Sequence, residues 1–339
     1  LGTNTPASGG ALPCKRKHTA IGQDTDLCSW RTNVYDDLET IGNLYGKDLV
    51  TCPPHWLNEA DARTYLKDHK IRMPGHTGET FLWDRDPNST WEFWEIYSGT
   101  ANATEAFVSP ATGGGVAGPP VDKLPSRWPD LPSFNVLRMD GRRLLWALLV
   151  VFAPLWVRLA PPCTFWSTLS RRCNKRTPSY KEQLRLEALV HIVFSVQICQ
   201  YQQSRNRLCS FEQPLRAASW QLDIVQHMLR GSSVAVMPAT GGTGAQPMKR
   251  FKFDSCVWGH KDPGNGKLYK KPQCFASNAD MSKLCFKCTG GHEHQILEGV
   301  VVGGPRHGQR RSQVAGEYPM DLCMAWAKCI KSCCRPLAA

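Results

Sequence analysis

Apolar positions in this chain fall into two kinds of run. Short continuous runs bounded by turn residues predict buried strands at 91–97, 116–121, 155–160 and 208–211, with a further strand over 135–140 ending at Asp140. Between them, longer stretches predict helices at 103–108, 141–153 (stopped by Pro154) and 178–201. The last is apolar at Leu186, Leu189, Ile192, Val193 and Val196. A helix over 219–230 follows, then a hairpin built from 251–259, the turn Asp262-Pro263-Gly264-Asn265-Gly266, and a returning strand at 268–277. Strands alternating with helices in this way predict an α/β fold of Rossmann-like type, with a mostly parallel sheet and flanking helices.

Outside that block the pattern weakens. Residues 1–30 are rich in Gly, Thr, Ser and Pro and are expected to form a loose tail. Residues 31–90 read as an accessory segment without evident chemistry, carrying a helix over 58–67 with Asn58 as its cap. The Gly/Ser/Thr/Ala-rich stretch 231–248 reads as a flexible loop, 250–300 as a small hairpin region with Cys and His, and 326–339 as a tail that follows or continues a helix over 319–332. The main domain is therefore expected over 91–325.

Composition adds three constraints. A 339-residue chain with 42% hydrophobic residues can build a real core. Its net charge of +12 fits either a nucleic-acid partner or simply a solvated basic surface. The 15 cysteines lack the regular spacing of a small disulfide scaffold, so most are expected to be reduced thiols in an intracellular protein, with the nucleus as a candidate compartment. No leader of the basic–apolar–small type is visible at the start. The longest apolar stretch, 144–157, is broken by Pro154 and falls short of the about 20 residues that span a bilayer.

The candidate chemistry centres on Pro161-Pro162-Cys163, where two prolines halt the 155–160 strand and leave a thiol at its carboxyl end. Open α/β sheets bind ligands there. Cys163 is a candidate nucleophile, and its alternative is a small buried hydrophobe. Tyr97-Ser98-Gly99-Thr100 forms a strand–turn–helix junction of the kind that receives nucleotide-like ligands, or an ordinary βα turn. Asp122 ends the 116–121 strand as either a ribose acceptor or a turn former. Glu212 closes the 208–211 strand just before Pro214. Arg171, Arg172, Lys175 and Arg176 make a basic loop that either contacts phosphates or is merely solvated. Cys285, Cys288, His292 and His294 offer four donors for zinc, with Cys256 and Cys274 as further candidates and packed thiols as the alternative. His191 could serve a thiol-hydrolase reading with Cys163, although a packed histidine suits its helix better.

Taken in order, these motifs resemble the cytosine-5 DNA methyltransferases, especially short phage-type members and related domains of dinoflagellate retroelement-like polyproteins. The resemblance spans roughly 91–325. It rests on Glu95-Ile96-Tyr97-Ser98-Gly99, Gly118-Pro119-Pro120-Val121-Asp122, Asp140, Pro161-Pro162-Cys163, Phe211-Glu212-Gln213-Pro214, Asp254-Ser255-Cys256-Val257-Trp258-Gly259, Lys270-Lys271-Pro272 and Ser277-Asn278. It implies S-adenosylmethionine as cofactor, held by Tyr97, Ser98, Gly99, Thr100, Asp122, Asp140 and Pro161, and DNA or another nucleic acid as partner. Cys163 would add to C6 of a flipped cytosine and make C5 nucleophilic, while Glu212 bonds ring N3 and the exocyclic amine. Methyl transfer, loss of the C5 proton and expulsion of the thiolate would complete the cycle. The sequence departs from the family at Gly99-Thr100-Ala101, which lacks a second glycine, at Thr164, and at Gln213, which stands for Asn. It also has no Gln-x-Arg-x-Arg. These departures leave open a second reading, a non-catalytic, mobile-element-associated nucleic-acid-binding relative.

Overall fold

The computed structural model describes residues 34–50, 58–68, 90–123, 134–167, 177–232 and 246–338, and the described chain from Val34 onward belongs to one unit. Three short strands, β1 (Phe93–Ile96), β2 (Trp156–Leu159) and β3 (Leu208–Pro214), pair in parallel. Further on come β4 (Lys249–Asp254), β5 (Leu268–Tyr269), β6 (Pro272–Ser277) and β7 (His294–Gln295). β6 returns antiparallel between β3 and β4, giving the order β1-β2-β3-β6-β4, while β5 and β7 form a separate parallel pair. The 116–121 segment lies along the outer edge of β1 through parallel bridges Phe93–Ala117 and Ile96–Val121. Pro119 and Pro120 interrupt that ladder because neither carries an N–H. The molecule is thus an α/β protein with an open, mixed, mostly parallel sheet and flanking helices.

The sheet separates two apolar clusters. On one face pack α4 (Met139–Phe152), α5 (Pro178–Ser204) and α6 (Asp223–Arg230), against Trp94, Ile96, Val157, Leu159, Cys209 and Phe211. On the other face lie α3 (Asn102–Val108) and, following the short α7 (Arg311–Val314), α8 (Met320–Ala338); α3 and α8 pack against Phe93, Trp156, Phe251, Phe253 and Phe275. The alternation along each strand follows from the two-residue period of the pleat. α5 starts as its sequence dictates: the Thr177 hydroxyl accepts from the Tyr180 N–H and Pro178 takes the first helical position.

The structure alters three sequence-based expectations. The stretch 134–138 forms turns rather than a strand. Asp140 consequently lies in the first turn of α4, where its carboxylate pairs with Arg138 at 2.9 Å and accepts from the Gly141 N–H. The described part of the accessory segment is built into the core. α1 (Tyr35–Tyr45) and α2 (Glu59–Asp68) bury Leu38, Ile41, Ala62 and Leu66, and Asp37 and Asp48 pair with Arg185 and Arg142. Finally, α8 runs through the expected tail and buries Trp326, Ala327 and Ile330 beneath the sheet. No helix among the described residues is long and apolar enough to cross a membrane.

Candidate active site and metal centre

The α3/α8 face of the sheet carries Glu95 on β1, Arg158 on β2, Glu212 on β3 and Gln273 on β6 among its polar side chains. Glu95 and Arg158 are register partners and form an ion pair at 2.6 Å, both side chains about 1% exposed. Glu95 Oε2 also accepts from the backbone N–H and hydroxyl of Thr104, fastening α3 to the sheet. The Arg158 guanidinium lies 4.6 Å from the ring centroids of both Tyr318 and Trp326 of α8 and its approach. Two aromatic faces therefore stand where water would otherwise solvate the cation.

Next to this box lies the pair that sequence reasoning singled out. Cys163 follows β2 and opens a helical turn, its carbonyl accepting from the Ser167 N–H at 2.9 Å. Glu212 sits within β3 and is 8% exposed. Burial pushes the Cys163 thiol up, the Glu212 carboxylate pushes it further in the same direction, and Lys271 pulls it back. Burial lowers the Lys271 pKa while Glu212 and Cys163 oppose that shift, so sulfur, acid and amine occupy one electrostatic neighbourhood. Lys271 Nζ donates to the Ala315 carbonyl at 2.6 Å. With its amide nitrogen turned to Glu212, Gln273 donates to Glu212 Oε1 at 2.7 Å and accepts from Lys271 Nζ at 3.0 Å and Ser255 Oγ at 3.1 Å. The Tyr318 phenol shares this neighbourhood with Glu212. Its pKa is raised well above normal, first by burial and then by that carboxylate.

Gln213, at the position where the resembled family carries Asn, donates to the Pro161 carbonyl at 2.7 Å and accepts from Ser219 Oγ at 3.2 Å. The strand bearing Glu212 thereby holds the loop bearing Cys163. His191 takes no part in this: its Nδ1 lies 3.2 Å from the Tyr97 hydroxyl, and burial lowers its pKa to about 4.

The loop after β1 is conformationally unusual. Tyr97 (φ 64°), Gly99 (φ 55°) and Ala101 (φ 59°) are all left-handed, and two of them pay the Cβ penalty that glycine escapes. Asp122 holds this loop, its Oδ2 accepting from the Gly99 N–H at 2.8 Å and its Oδ1 from the Lys123 N–H at 2.6 Å. A Cβ at Gly99 would meet nothing within 4 Å, so one side of the loop offers open backbone. Ser98 and Thr100 flank it, half-buried, and Pro161 is buried at the base of the thiol loop. Arg171, Arg172, Lys175 and Arg176 lie outside the described residues.

The metal-donor set differs from the sequence expectation. Cys256, Cys288, His292 and His294 converge, with one donor atom of each lying within 4.8 Å of all the others, and could hold a metal ion. Cys285 is not among them. It ends the 3-10 turn at Ser282–Leu284 and directs its thiol to the Met281 carbonyl, alongside the buried Met281 and Leu284. Cys274 is buried in β6 beside Arg250 Nε, at 3.5 Å. Cys256 reaches the cluster because the 3-10 turn Ser255–Trp258 carries the chain off β4, while Asp254 Oδ2 takes the Cys288 N–H at 3.0 Å.

Sequence reasoning missed Arg158, Tyr318 and Gln273. The signal for the first was a cation inside an otherwise apolar buried run, which requires a buried counter-charge; Glu95 was the matching anomaly. Compared with known proteins, no family model matches the chain and no curated protein matches it in sequence.

Proposed function

We propose that this protein is an S-adenosylmethionine-dependent cytosine-C5 methyltransferase acting on DNA. The observation that carries the reading is the placement of Cys163, just past β2, and Glu212, on the adjacent parallel strand β3, with Lys271 beside them just before β6 and linked to Glu212 through Gln273. Such an arrangement offers a sulfur nucleophile and an acid to one planar base. Cys163 would attack C6, Glu212 would bond N3 and the exocyclic amine, and the Lys271 cation would favour the thiolate. Gln213 would keep the thiol loop in register with Glu212 through Pro161. The open side of Gly99 and the strained Tyr97–Ala101 turn suit an adenosyl ligand, with Ser98, Thr100 and Asp122 at its border. The cofactor would supply a methyl group on a sulfonium. Asp140, bound to Arg138 in α4, is left with a weaker claim on the adenine. The Cys/His cluster is read as a zinc site that stands outside the methyl-transfer chemistry.

Methyl-labelled S-adenosylmethionine should transfer label to duplex DNA, and DNA carrying 5-fluorocytosine should trap a denaturant-stable adduct. Cys163→Ser should abolish both, and Glu212→Gln should slow both by about 100-fold or more. Trapping by Cys163→Ser, or no label from wild type on any duplex, would overturn the reading.

Two observations favour the second reading, a nucleic-acid-binding domain without methyl transfer. The Cys163 thiol is raised rather than lowered, and both Asp122 oxygens already accept from the backbone. On that reading Cys163→Ser leaves salt-sensitive DNA binding unchanged while wild type yields no adduct.

A further inference from the structure

We infer that the zinc ion at Cys256, Cys288, His292 and His294 is a closed, structural staple that holds the segments flanking β6, residues 255–271 and 278–317, against the sheet. The inference rests on the zinc reading above and assigns that ion its role.

The geometry comes first. Cys288 Sγ lies 3.6 Å from His292 Nε2 and 3.5 Å from His294 Nε2, and the two Nε2 atoms are 3.0 Å apart. A tetrahedral zinc with bonds of about 2.3 Å to sulfur and about 2.0–2.1 Å to nitrogen has sulfur–nitrogen edges of about 3.6 Å and a nitrogen–nitrogen edge of about 3.3–3.4 Å. The three edges among Cys288, His292 and His294 fall close to those of such a tetrahedron, and the Cys256 donor lies within 4.8 Å of each. Two imidazole nitrogens aimed at each other need a proton or a cation between them, since each presents a lone pair when unprotonated. A thiol in contact with both nitrogens points to a soft cation. Two thiolates and two neutral imidazoles would neutralise a divalent ion, and four protein donors leave no position for a reacting water. The site is therefore of the structural type.

The surroundings support it. The Gly290 N–H points at Cys288 Sγ from 3.4 Å, as a donor to a thiolate would, and Asp254 fixes the Cys288 backbone. Gly290 (φ 88°) and Gly291 (φ 82°) supply the left-handed turn that brings His292 back over Cys288. His294 is held in β7, which pairs with β5 at Leu268.

The need for a staple is visible in the same segments. Their only paired strands, β5 and β7, are two residues each, while Ile296, Val300 and Val302 are exposed. Such a region, with little regular pairing, is of the kind that metals complete. It nevertheless carries Lys271 and the Ala315 carbonyl that positions it.

The test uses the full chain purified without added chelator. Metal analysis should return one zinc per chain, and cobalt(II) substitution should give the intense visible band of a tetrahedral sulfur-bound ion. Cys256→Ser and His294→Ala should lose the metal, whereas Cys285→Ser should keep it. Removing zinc should then speed amide exchange at Tyr269, Lys270, Cys288 and Gly290 by roughly tenfold or more, leaving β1–β3 unchanged. A metal-free protein, or zinc retained by Cys256→Ser and lost from Cys285→Ser, overturns the zinc reading itself. Zinc bound as described, but with exchange unaltered on its removal, overturns the structural role alone.

Discussion

The sheet and the segments that flank β6 are stabilised by different means. The β1–β3 half is sandwiched between helices, with Trp94, Val157, Phe211 and α5 forming a continuous apolar layer on one face and Phe93, Trp156 and α8 on the other. The segments around β6 have little such layering. They close on point contacts, above all on Asp262, which is fully buried. Its Oδ1 accepts from the Gly264 and Asn265 N–H groups, and its Oδ2 accepts from the Tyr269 hydroxyl and from Arg311 Nε at 2.6 Å. The contrast teaches where tolerance to change should lie: burial spreads its contribution over many methyl groups, whereas a polar hub concentrates it on one carboxylate.

Substitution should break the two regions differently. Glu95→Ala leaves Arg158 uncompensated inside the box and should cost about 3–5 kcal/mol, read as a global loss in denaturant unfolding. An unchanged midpoint would mean that the aromatic rings alone satisfy the guanidinium. Asp262→Ala strands Arg311 and the Tyr269 hydroxyl and should cost about 3 kcal/mol, expressed as local opening of 255–317 in hydrogen exchange while β1–β3 stay protected. If the whole sheet opened with it, the proposed contrast between the two regions would be wrong.

A subtler contrast comes from acid. Burial lowers the His191 pKa from 6.5 to about 4, so the folded state resists its protonation. The stability it contributes is complete above pH 6.5 and is lost as pH falls toward 4, on the order of 2–3 kcal/mol. His191→Gln should flatten that part of the stability–pH curve, and a curve superimposable on wild type would refute the burial assignment. At the thiol, Glu212→Gln should shift alkylation of Cys163 to lower pH, and Lys271→Met should shift it to higher pH, as mapped by mass spectrometry after iodoacetamide treatment. Opposite shifts would show that the three groups do not share a field. The smallest effect expected is at Asn58, whose Oδ1 accepts from the Asp61 N–H at 2.9 Å. Asn58→Ala should cost about 1 kcal/mol in thermal unfolding.

Local rules exposed much of the parallel half in the sequence. The apolar runs around β1, β2 and β3, the proline that limits α4 and the Thr177-Pro178 start of α5 each announce themselves within a few residues. The expectation for Cys163 rested on the two prolines after β2 and that for Glu212 on an acid at the end of the 208–211 run; the structure carries β3 on to Pro214 and so sets Glu212 inside the strand. The rest depended on distant partners. Cys285-Phe286-Lys287-Cys288 presents a typical half site, yet the 3-10 turn before Cys285 points that thiol at a carbonyl and into apolar side chains, and Cys256 arrives from β4 instead. The 135–140 stretch is apolar enough for a strand, but Asn135 Oδ1 accepts from the Leu137 N–H and its carbonyl from the Arg138 N–H, which makes a turn that launches α4. Tyr318 and Gln273 reach Glu212 only through tertiary packing, and no spacing along the chain reports that.

The enclosure of Arg158 also has a meaning for how the protein comes to be made. Two of its walls, Tyr318 and Trp326, are synthesised well after β2, so until they arrive Arg158 has its Glu95 partner but not the aromatic faces that close over it. The strands can gather early, but the enclosure of that guanidinium has to wait for α8.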